Sequence, residues 1–491
     1  MNKKIFAIPL CALFVVSAAC FSACGGNNDN GGDNNENTLK YGLKPTEEYV
    51  LPDYGERTES GVAVHDPSVF RDPKGGKYYA FGSHYAVASS DDLITWKQEL
   101  KDNEHTKLFT GGVTAAMPQT TALAQGATDA WAPDVEYHDG KYYMYISFTT
   151  GFGSNRSVIS RVESDNVLGP YSNETIIIES VTSNQPDKPN CIDPELFHDK
   201  DGGLWMVYGS FFGGVYIKAL NSSGENWGLP QEEGWGTLIW KTGYSDGVEG
   251  PYVFYNNLTD YYYLMVSEGD LFTVYNMRFA RSKNPDGPYE DITGGNVATA
   301  SGKGNKVAGN YKFARQTVQP GYAALGHNSV IKDADGRYFV VYHTRREDVS
   351  ADKGISVGHN LCVSQLFFNE EGWPVMSPVC YEGEAFGIVP EADLVTDYEV
   401  VIHSEQTVKT IVKSEDYSFT DENKVQKGNS EVGTWSIKDG YYVTITLGTA
   451  EYNGVVVPGW DMYTANKNNR EGKLCITAVS DEGVSLWAIA K

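Results

Sequence analysis

The fold is decided by a stretch that begins at residue 65 and reads HDPSVFRDPKGGKYYAFGS. Two apolar runs, around Val69 and Tyr79, flank a turn at residues 72–76 that is rich in Asp, Pro and Gly. Glycine and aspartate tolerate the backbone conformations of tight hairpin turns, and the aromatic and β-branched flanks favour strands. The stretch therefore predicts a β-hairpin whose apolar face must pack against other parts of the chain.

Four more copies of this hairpin follow along the chain. Each copy has an apolar strand, a turn that contains Asp, Asn or Gly, and an aromatic return strand. The first strands of the four copies centre on Val135, Leu196, Val253 and Val330. Successive copies are 57 to 77 residues apart, which suits a four-stranded blade with insertions. Because blades arranged in a ring leave few exposed strand edges, the repeat predicts a five-bladed β-propeller over residues 60–387.

The repeat ends after Phe386, and the remaining chain shows a different pattern. Short segments rich in Val, Ile, Thr and Tyr alternate with turns from residue 400 to residue 490, and one of these segments is residues 408–412. Such a series is typical of an all-β domain. We therefore predict a small β-sandwich or barrel over residues 388–491 and an all-β fold class for the whole chain.

The N-terminus has the pattern of an export signal. Two lysines precede a short apolar run, and cysteines follow small residues at Cys20 and Cys24. Residues 25–37 contain only Gly, Asn, Asp and Glu, a composition that cannot bury apolar surface. We predict a lipoprotein signal peptide over residues 1–23 and a flexible tether and lead-in over residues 24–59. Cys24 is the favoured lipid anchor and Cys20 the alternative, while signal cleavage without lipid stays open.

The charge of the chain restricts its partners and its location. Its formal net charge is −25 at pH 7, so it has no excess of basic side chains to neutralise phosphates. This composition argues against a nucleic-acid partner and suits an exported protein. We expect a monomer at the cell envelope, held at the outer membrane or cell surface by its lipid alone. In an oxidising compartment, Cys362 and Cys380 are either paired or, as we favour, buried free thiols.

The five copies also share one position at which ionisable side chains recur. One repeat position, three residues before the apolar centre of each copy, holds Asp66, Ala132, Asp193, Gly250 and His327. In the fourth copy, the residue just before this position is Glu249. If each first strand begins at the propeller axis, three acids and a histidine converge on one cavity.

The three acids match the needs of glycoside hydrolysis, in which two carboxyl groups flank the bond that is cleaved. One carboxyl group must stay protonated to donate to the leaving oxygen, while the other must be ionised to accept a proton from water. A third carboxylate nearby raises the pKa of the donor, since like charges disfavour ionisation. The alternative is that these acids only cap strands as turn residues, but their shared repeat position favours catalysis.

Six motifs in this order resemble glycoside hydrolase family 43, and most closely its endo-α-1,5-L-arabinanase branch. They are VHDPS at 64–68, WAPD at 131–134, NCIDP at 190–194, YGSFF at 208–212, VEGP at 248–251 and GHN at 326–328. The resemblance covers roughly residues 60–387, and the chain after it is similar to the β-domain appended to the longer arabinanases. It implies an endo-acting enzyme that hydrolyses α-1,5-L-arabinofuranosyl linkages in arabinan, a polysaccharide or oligosaccharide substrate, with inversion of the anomeric carbon.

The resemblance also implies roles for single residues. Asp66 is expected to be the general base, Glu249 the general acid, and Asp193 the carboxylate that tunes the pKa of Glu249 and orients it. His327 is expected to contact a calcium ion (Ca²⁺), otherwise bound mostly by water, at the propeller axis. Without the family, a core histidine hydrogen-bonded to the backbone is the simpler interpretation of His327. The residues expected to line the sugar sites are Gly153, Asn190, Cys191, Ile192, Ser210 and Phe212.

Three functional hypotheses stay open, and Trp131 is either a stacking platform for a sugar or a core aromatic. The first hypothesis is an endo-arabinanase, and the second is an exo-acting α-L-arabinofuranosidase or β-xylosidase of the same family. The third is a non-catalytic glycan-binding propeller, against which the presence of all three acids counts. The SFFGG stretch at residues 210–214 and the appended domain favour endo action.

Overall fold

A computed structural model describes residues 45, 47–52, 61–182, 187–241, 247–299, 302–317, 319–348, 358–463 and 470–491. The predicted signal peptide, with Cys20 and Cys24, lies outside these residues, as does most of the predicted tether. Among the residues that the structure describes, no helix has the length and apolar character needed to cross a bilayer.

Five antiparallel sheets follow one another along the chain, one for each copy of the repeat, and confirm the five-bladed propeller. Blade 1 has β1 (Ser68–Arg71), β2 (Tyr78–Phe81), β3 (Val87–Ser90) and β4 (Trp96–Leu100). Blade 2 has β5 (Trp131–His138), β6 (Lys141–Thr149), β7 (Ser157–Ser164) and β8 (Ser172–Glu179). Blade 3 has β9 (Glu195–His198), β10 (Leu204–Tyr208), β11 (Val215–Leu220) and β12 (Thr237–Trp240).

The last two blades complete the ring. Blade 4 has β13 (Val248–Asn256), β14 (Tyr261–Glu268), β15 (Asn276–Ser282) and β16 (Asn305–Ala308). Blade 5 has β17 (Tyr311–Lys312), β18 (Tyr322–Lys332), β19 (Tyr338–Arg346), β20 (Asn360–Phe368) and β21 (Pro374–Met376). The described helices are short: α1 (Val113–Ala116), α2 (Pro118–Leu123) and 3₁₀ turns at Ser83–Tyr85 and Glu391–Leu394.

The core of the propeller lies between neighbouring blades, where the apolar centres of the repeat meet the preceding blade. Val69 of blade 1 is in one buried cluster with Phe339 of blade 5, and Leu196 of blade 3 is in another with Ile159 of blade 2. The same relation to the preceding blade holds for Val135, Val253 and Val330. The repeat therefore places one apolar anchor in each of the five blade interfaces, where burial of apolar surface stabilises the ring.

Polar side chains on the first strands link neighbouring blades around the axis. The carboxylate of Asp134 accepts hydrogen bonds from the Ser68 hydroxyl at 2.6 Å and from the backbone N–H of Leu196 at 2.9 Å, which joins blades 1, 2 and 3. Between the last blade and the first, the Ser329 hydroxyl oxygen accepts a hydrogen bond from the Val69 N–H at 3.1 Å. Asp134 and Ser329 thereby find hydrogen-bond partners within the ring itself.

The C-terminal domain is a closed barrel, which decides between the predicted sandwich and barrel. Its neighbouring strands are β22 (Asp397–Ile402), β24 (Glu415–Phe419), β25 (Lys424–Lys427), β26 (Ser430–Lys438), β27 (Tyr442–Leu447), β28 (Ala450–Trp460), β29 (Gly472–Ser480) and β30 (Ser485–Ala490), and β30 pairs with β22. The prediction of a strand at residues 408–412 is wrong. Only β23 (Val412–Lys413) forms, and it leaves the barrel to pair in parallel with β17 of blade 5.

Three of the four cysteines of the described chain, Cys191, Cys362 and Cys475, are buried free thiols. Because the Cys362 thiol is free, it is not paired with Cys380. The expectation of a buried free thiol holds for Cys362, whereas Cys380 is half-buried.

Candidate active site

The five aligned repeat positions share one backbone conformation. The φ angles are positive at Asp66 (53°), Ala132 (22°), Asp193 (56°), Gly250 (56°) and His327 (47°). This left-handed region is uncommon for residues other than glycine, and backbone strain of this kind is concentrated at functional sites. Strand pairing also shifts register across this position in blades 2, 4 and 5. Each first strand thus bends where its aligned residue meets the axis.

A cleft of about 290 Å³ opens where these bends meet. The three predicted acids and the predicted metal ligand all line it, and so do most of the predicted sugar-binding residues. The predicted residues that line the cleft are Asp66, Trp131, Gly153, Asn190, Ile192, Asp193, Ser210, Phe212, Glu249 and His327. Trp131 is half-buried and lines this cleft, which is the position that the stacking alternative requires.

Cys191 is the one predicted sugar-binding residue that does not line the cleft, and its assignment is corrected here. Its side chain is fully buried in the cluster between blades 2 and 3, together with Leu196 and Met206. Neighbouring side chains of an extended segment point to opposite sides, so Asn190 and Ile192 face the cleft while Cys191 faces the core. Burial raises the pKa of this thiol to about 12, which suits a packing role.

Asp66 is held in its ionised state. Its Oδ1 lies 3.0 Å from Nδ1 of His327 and 3.2 Å from Nε2 of His65, while its Oδ2 accepts a hydrogen bond from the Ser83 hydroxyl at 2.6 Å. Burial by itself raises the pKa of Asp66, but the charges of the two imidazoles and the hydrogen bond to His327 outweigh burial and bring the pKa well below its usual value. An ionised carboxylate is the state that a general base requires.

His327 is the cationic partner of the acids. Burial lowers the pKa of this imidazole, but the charges of Asp66, Asp193 and Glu249 raise it to about 9. The ring has space because the aligned residue of blade 4 is Gly250: a Cβ there would lie 3.1 Å from the imidazole. The small residue at this repeat position is therefore required by the histidine of the next blade.

Asp193 is buried and Glu249 is half-buried, and the two carboxyl groups interact. Burial raises the pKa of both, and the charge of Glu249 contributes to raising that of Asp193 to about 8. The Ser210 hydroxyl donates to Oε2 of Glu249 at 2.7 Å, and the Gly250 N–H donates to Oδ2 of Asp193 at 3.1 Å. The environment of both groups therefore favours the protonated form, which is the form that a general acid requires.

Ser83, which holds Asp66, was missed in the sequence although a signal was present. Its hydroxyl oxygen also accepts a hydrogen bond from the Ala132 N–H at 2.8 Å. Gly82-Ser83 occupies the position in the first copy that Gly209-Ser210 occupies in the third. The repeat therefore pointed to Ser83 as well as to Ser210, the residue predicted to line the sugar site. Both glycines are needed for close backbone approach, because a Cβ on either would overlap a carbonyl oxygen.

Three buried imidazoles beside Asp66 were also missed. The ring nitrogens of His65, His343 and His359 lie within 4.8 Å of one another, and the Asp66 N–H donates to Nδ1 of His343 at 3.1 Å. His343 and His359 belong to blade 5, far along the chain, so only the fold brings them to Asp66. A set of nitrogen ligands suits a transition metal better than calcium.

A smaller cavity of about 20 Å³ adjoins the cleft along the axis and can hold roughly one ion or water. Carboxyl groups of Asp66, Asp193 and Glu195 line it, together with His327. Among the described residues, Oε1 of Glu195 is buried without a hydrogen-bond partner. Because calcium takes oxygen ligands, this donor set fits a calcium ion.

Aromatic rings from two blades line the mouth of the cleft. The ring of Trp131 lies 6.0 Å from that of Phe152, which lies 6.3 Å from the ring of Phe272. Phe152 belongs to blade 2, whereas Phe272 belongs to the loop between β14 and β15 of blade 4. Phe152 is 65% exposed, so a large apolar ring is left open to a ligand.

A propeller whose axis joins a carboxyl group of lowered pKa, two carboxyl groups of raised pKa and an imidazole in one cleft defines a class of enzymes that hydrolyse glycosidic bonds. The chain belongs to glycosyl hydrolases family 43, whose sequence pattern matches residues 61–374. A second pattern, the C-terminal lipocalin-like domain of this family, matches residues 378–488. The two matches correspond to the propeller and to the barrel.

Relatives with known names share both domains. An extracellular endo-α-(1→5)-L-arabinanase of Thermotoga petrophila is 35% identical over 90% of this chain and 96% of its own length. A crystal structure of the endo-1,5-α-L-arabinanase from Thermotoga petrophila RKU-1 matches with a TM-score of 0.79 and 34% identity, over 89% of this chain and 100% of that one. The extracellular endo-α-(1→5)-L-arabinanase 2 of Bacillus subtilis is 34% identical over 87% of this chain and 92% of its own.

An exo-acting relative matches a smaller part of the chain. The extracellular exo-α-(1→5)-L-arabinofuranosidase of Cellvibrio japonicus is 30% identical over 64% of this chain and 86% of its own length. The two endo-acting relatives therefore share more of this chain than the exo-acting one.

Proposed function

We propose that this protein is an endo-acting arabinanase that hydrolyses α-1,5-L-arabinofuranosyl linkages within arabinan. The observation that carries the proposal is that Asp66, Glu249 and Asp193 line one cleft, where the pKa of Asp66 is lowered and the pKa values of Glu249 and Asp193 are raised. The likeness to two endo-arabinanases over both domains supports arabinan as the substrate. An exo-acting enzyme or a glycan-binding propeller is less well supported, because the relatives that match about nine-tenths of this chain are endo-arabinanases and no acid is missing.

The mechanism that we propose is a single displacement by water. Asp66 accepts a proton from the attacking water, while His327 and Ser83 hold its two oxygens in place. Glu249 donates its proton to the leaving oxygen, and the Ser210 hydroxyl orients it through Oε2. Because water and leaving group are on opposite faces of the sugar, the anomeric configuration inverts.

Digestion of linear arabinan tests this function. Sizing of the early products is expected to show a ladder of oligosaccharides, and arabinose alone would refute endo action. Proton NMR of the first products, recorded before mutarotation, is expected to show the inverted anomer. Xylo-oligosaccharides are the matched control substrate, and faster hydrolysis of these would refute arabinan as the substrate.

We also propose that one calcium ion binds in the small axial cavity, where Glu195 and His327 would hold it, His327 after losing the proton that it carries as an imidazolium. When bound, the ion supplies positive charge that offsets the buried carboxyl groups. Calorimetric titration of Ca²⁺ into chelator-treated protein is expected to show one site and a higher melting temperature on binding. Absence of binding heat with an unchanged melting temperature would refute this site.

The extracellular names of the relatives support export of this chain. We propose that the mature protein is a monomer tethered to the envelope through a lipid on Cys24, with Cys20 as the alternative. Mass spectrometry of the mature N-terminus distinguishes these two modifications, and an unmodified N-terminus would refute the anchor.

Replacing Asp193 by Asn is expected to move the alkaline limb of the pH–rate profile to lower pH. Removing one carboxyl group removes the repulsion that helps this pair to retain its proton, so the pKa of Glu249 falls and the acid loses its proton at lower pH. A pH–rate profile on arabinan measures this shift.

Thermal melts of the same variant provide the control. The side-chain oxygen of Asn can still accept the hydrogen bond from the Gly250 N–H, so the variant keeps the contact that caps the strand. In the folded parent, the pKa of Asp193 is raised to about 8. The free energy of unfolding of the parent therefore falls as the pH rises from the usual pKa of a carboxyl group through about 8. The Asn variant lacks this titrating group and should not show the fall. A lower melting temperature with an unmoved alkaline limb would show that Asp193 only caps its strand.

A further inference from the structure

One wall of the cleft is the loop between β14 and β15, residues 269–275, here named the wall segment. Its residues 269–272 line the cleft, including Phe272 of the aromatic mouth. At its end, Tyr275 is fully buried. Burial, and after it the charge of Glu249, raise the pKa of Tyr275 well above its usual value, so the phenol interacts electrostatically with the general acid. The position of the wall segment therefore affects both the mouth and the acid.

Two buried asparagines hold the wall segment from behind. The segment is a tight turn in which the N–H groups of residues 273–275 point to the carbonyl of Asp270, so its own carbonyls need partners outside the turn. The side-chain amide of Asn310 donates to the carbonyl of Thr273 at 2.7 Å, and that of Asn276 donates to the carbonyl of Val274 at 3.1 Å. Asn276 is 1% exposed and Asn310 is 6% exposed.

The same two amides reach a loop of the C-terminal domain, residues 403–411 between β22 and β23, here named the barrel loop. Nδ2 of Asn276 donates to Oγ1 of Thr407 at 3.1 Å, and Nδ2 of Asn310 lies 3.3 Å from the carbonyl oxygen of Val408. Thr407 also touches the start of the wall segment, since a Cβ on Gly269 would lie 2.9 Å from its methyl group. The barrel loop therefore supports the wall segment at both ends.

The barrel loop is itself fixed to the propeller. Arg278 and Lys306 of blade 4 donate to the carbonyls of Glu405 and Gln406, each at 2.8 Å. Directly after the loop, β23 extends the sheet of blade 5. A cavity of about 360 Å³ lies beside the loop, lined in part by Gln406 and Thr407. The hydrogen bonds of the two asparagines and the contact of Thr407 with Gly269 therefore set the position of the wall segment relative to the barrel loop.

We propose that the C-terminal barrel sets the shape of the substrate cleft, with Thr407, Asn276 and Asn310 as positioning residues that hold the wall segment. This inference rests on the proposed function, since arabinan is the substrate that would contact Phe272. Misplacement of a substrate-contacting group by about 1 Å can cost roughly 10²-fold in rate, so loss of one of these bonds should be measurable.

Thr407→Val tests the proposal, because it removes the hydroxyl and keeps the shape of the side chain. We expect kcat/KM on linear arabinan to fall about 10-fold, mostly through KM, with a melting temperature close to that of the parent. Hydrogen exchange of the amides at residues 269–275 is expected to become faster. Glu405→Gln is the matched control, since it removes the exposed ion pair with Lys303 and leaves both asparagines bonded. We expect parental values for this control.

Two results would overturn the proposal: unchanged exchange at residues 269–275 in folded Thr407→Val, or the same loss in Glu405→Gln. Asn310→Asp is a stronger variant, because a carboxylate cannot donate to the carbonyl of Thr273, and we expect a larger effect on both readouts. If this variant does not fold, Thr407→Val decides. If the parent does not hydrolyse arabinan, the proposed function fails, and hydrogen exchange alone still decides whether the barrel loop holds the wall segment.

Discussion

Asp66→Asn is expected to lower kcat on linear arabinan by roughly 10³-fold, within the range of about 10²–10⁴-fold that general acid–base groups contribute. An amide cannot accept a proton from water, so the attacking water is no longer activated. The amide can still accept the hydrogen bond from Ser83, and the backbone N–H to His343 is unaffected, so the fold should persist. Steady-state kinetics together with circular dichroism measure the effect.

Ser83→Ala is the matched control for Asp66→Asn. It removes one hydrogen bond to the carboxylate and keeps the carboxylate itself, so we expect at most about a 10-fold loss. The stability of Asp66→Asn should also depend less on pH. In the parent, Asp66 helps to raise the pKa of His327 to about 9. The stabilisation of the fold by this ion pair is therefore fully present below pH 6.5 and is lost as the pH rises through about 9. An Asp66→Asn variant with near-parental kcat would eliminate Asp66 as the base.

Glu249→Gln is expected to lose roughly 10²–10⁴-fold in kcat on arabinan, because its alcohol leaving group needs a proton. The glutamine keeps an oxygen for the Ser210 hydroxyl, so the loss is chemical rather than structural. The alkaline limb of the pH–rate profile should disappear with the titrating acid. These effects are measured on arabinan and on an aryl arabinofuranoside with an acidic phenol as the leaving group.

The aryl substrate separates the two roles. A good leaving group departs without protonation, so Glu249→Gln should recover most of its activity on this substrate. Asp66→Asn should not recover, since water activation is still required. Equal recovery of the two variants would show that the acid and base have been exchanged or misassigned.

The propeller was predictable because its signal repeats. Each copy carries a turn, an apolar centre and an aromatic return strand, and these residues become one blade interface after another. The repeat position of Asp66, Asp193 and His327 was predictable for the same reason, although their shared left-handed φ was not. The backbone conformation at this position depends on how five strands meet at one axis. The sequence of a single copy does not contain that information.

Other features depended on contacts between distant segments. The sequence could not show that Cys191 faces the core while its two neighbours face the cleft, since all three stand in one motif. His343 and His359 reach Asp66 only through ring closure. Residues 408–412 read as a strand by composition, yet the backbone carbonyls of residues 408 and 409 accept from the Asn310 amide. Propensity was overridden there by contacts with the propeller.

The parallel pairing of β23 with β17 has a consequence for how the two domains can be separated. A chain cut after residue 387 would leave β17 with an unpaired edge at the end of the fifth sheet. Unpaired edges recruit strands from other molecules, which makes them sites of aggregation. The isolated propeller should therefore self-associate. In the whole chain, the segment that leads into the barrel covers this edge and prevents such pairing.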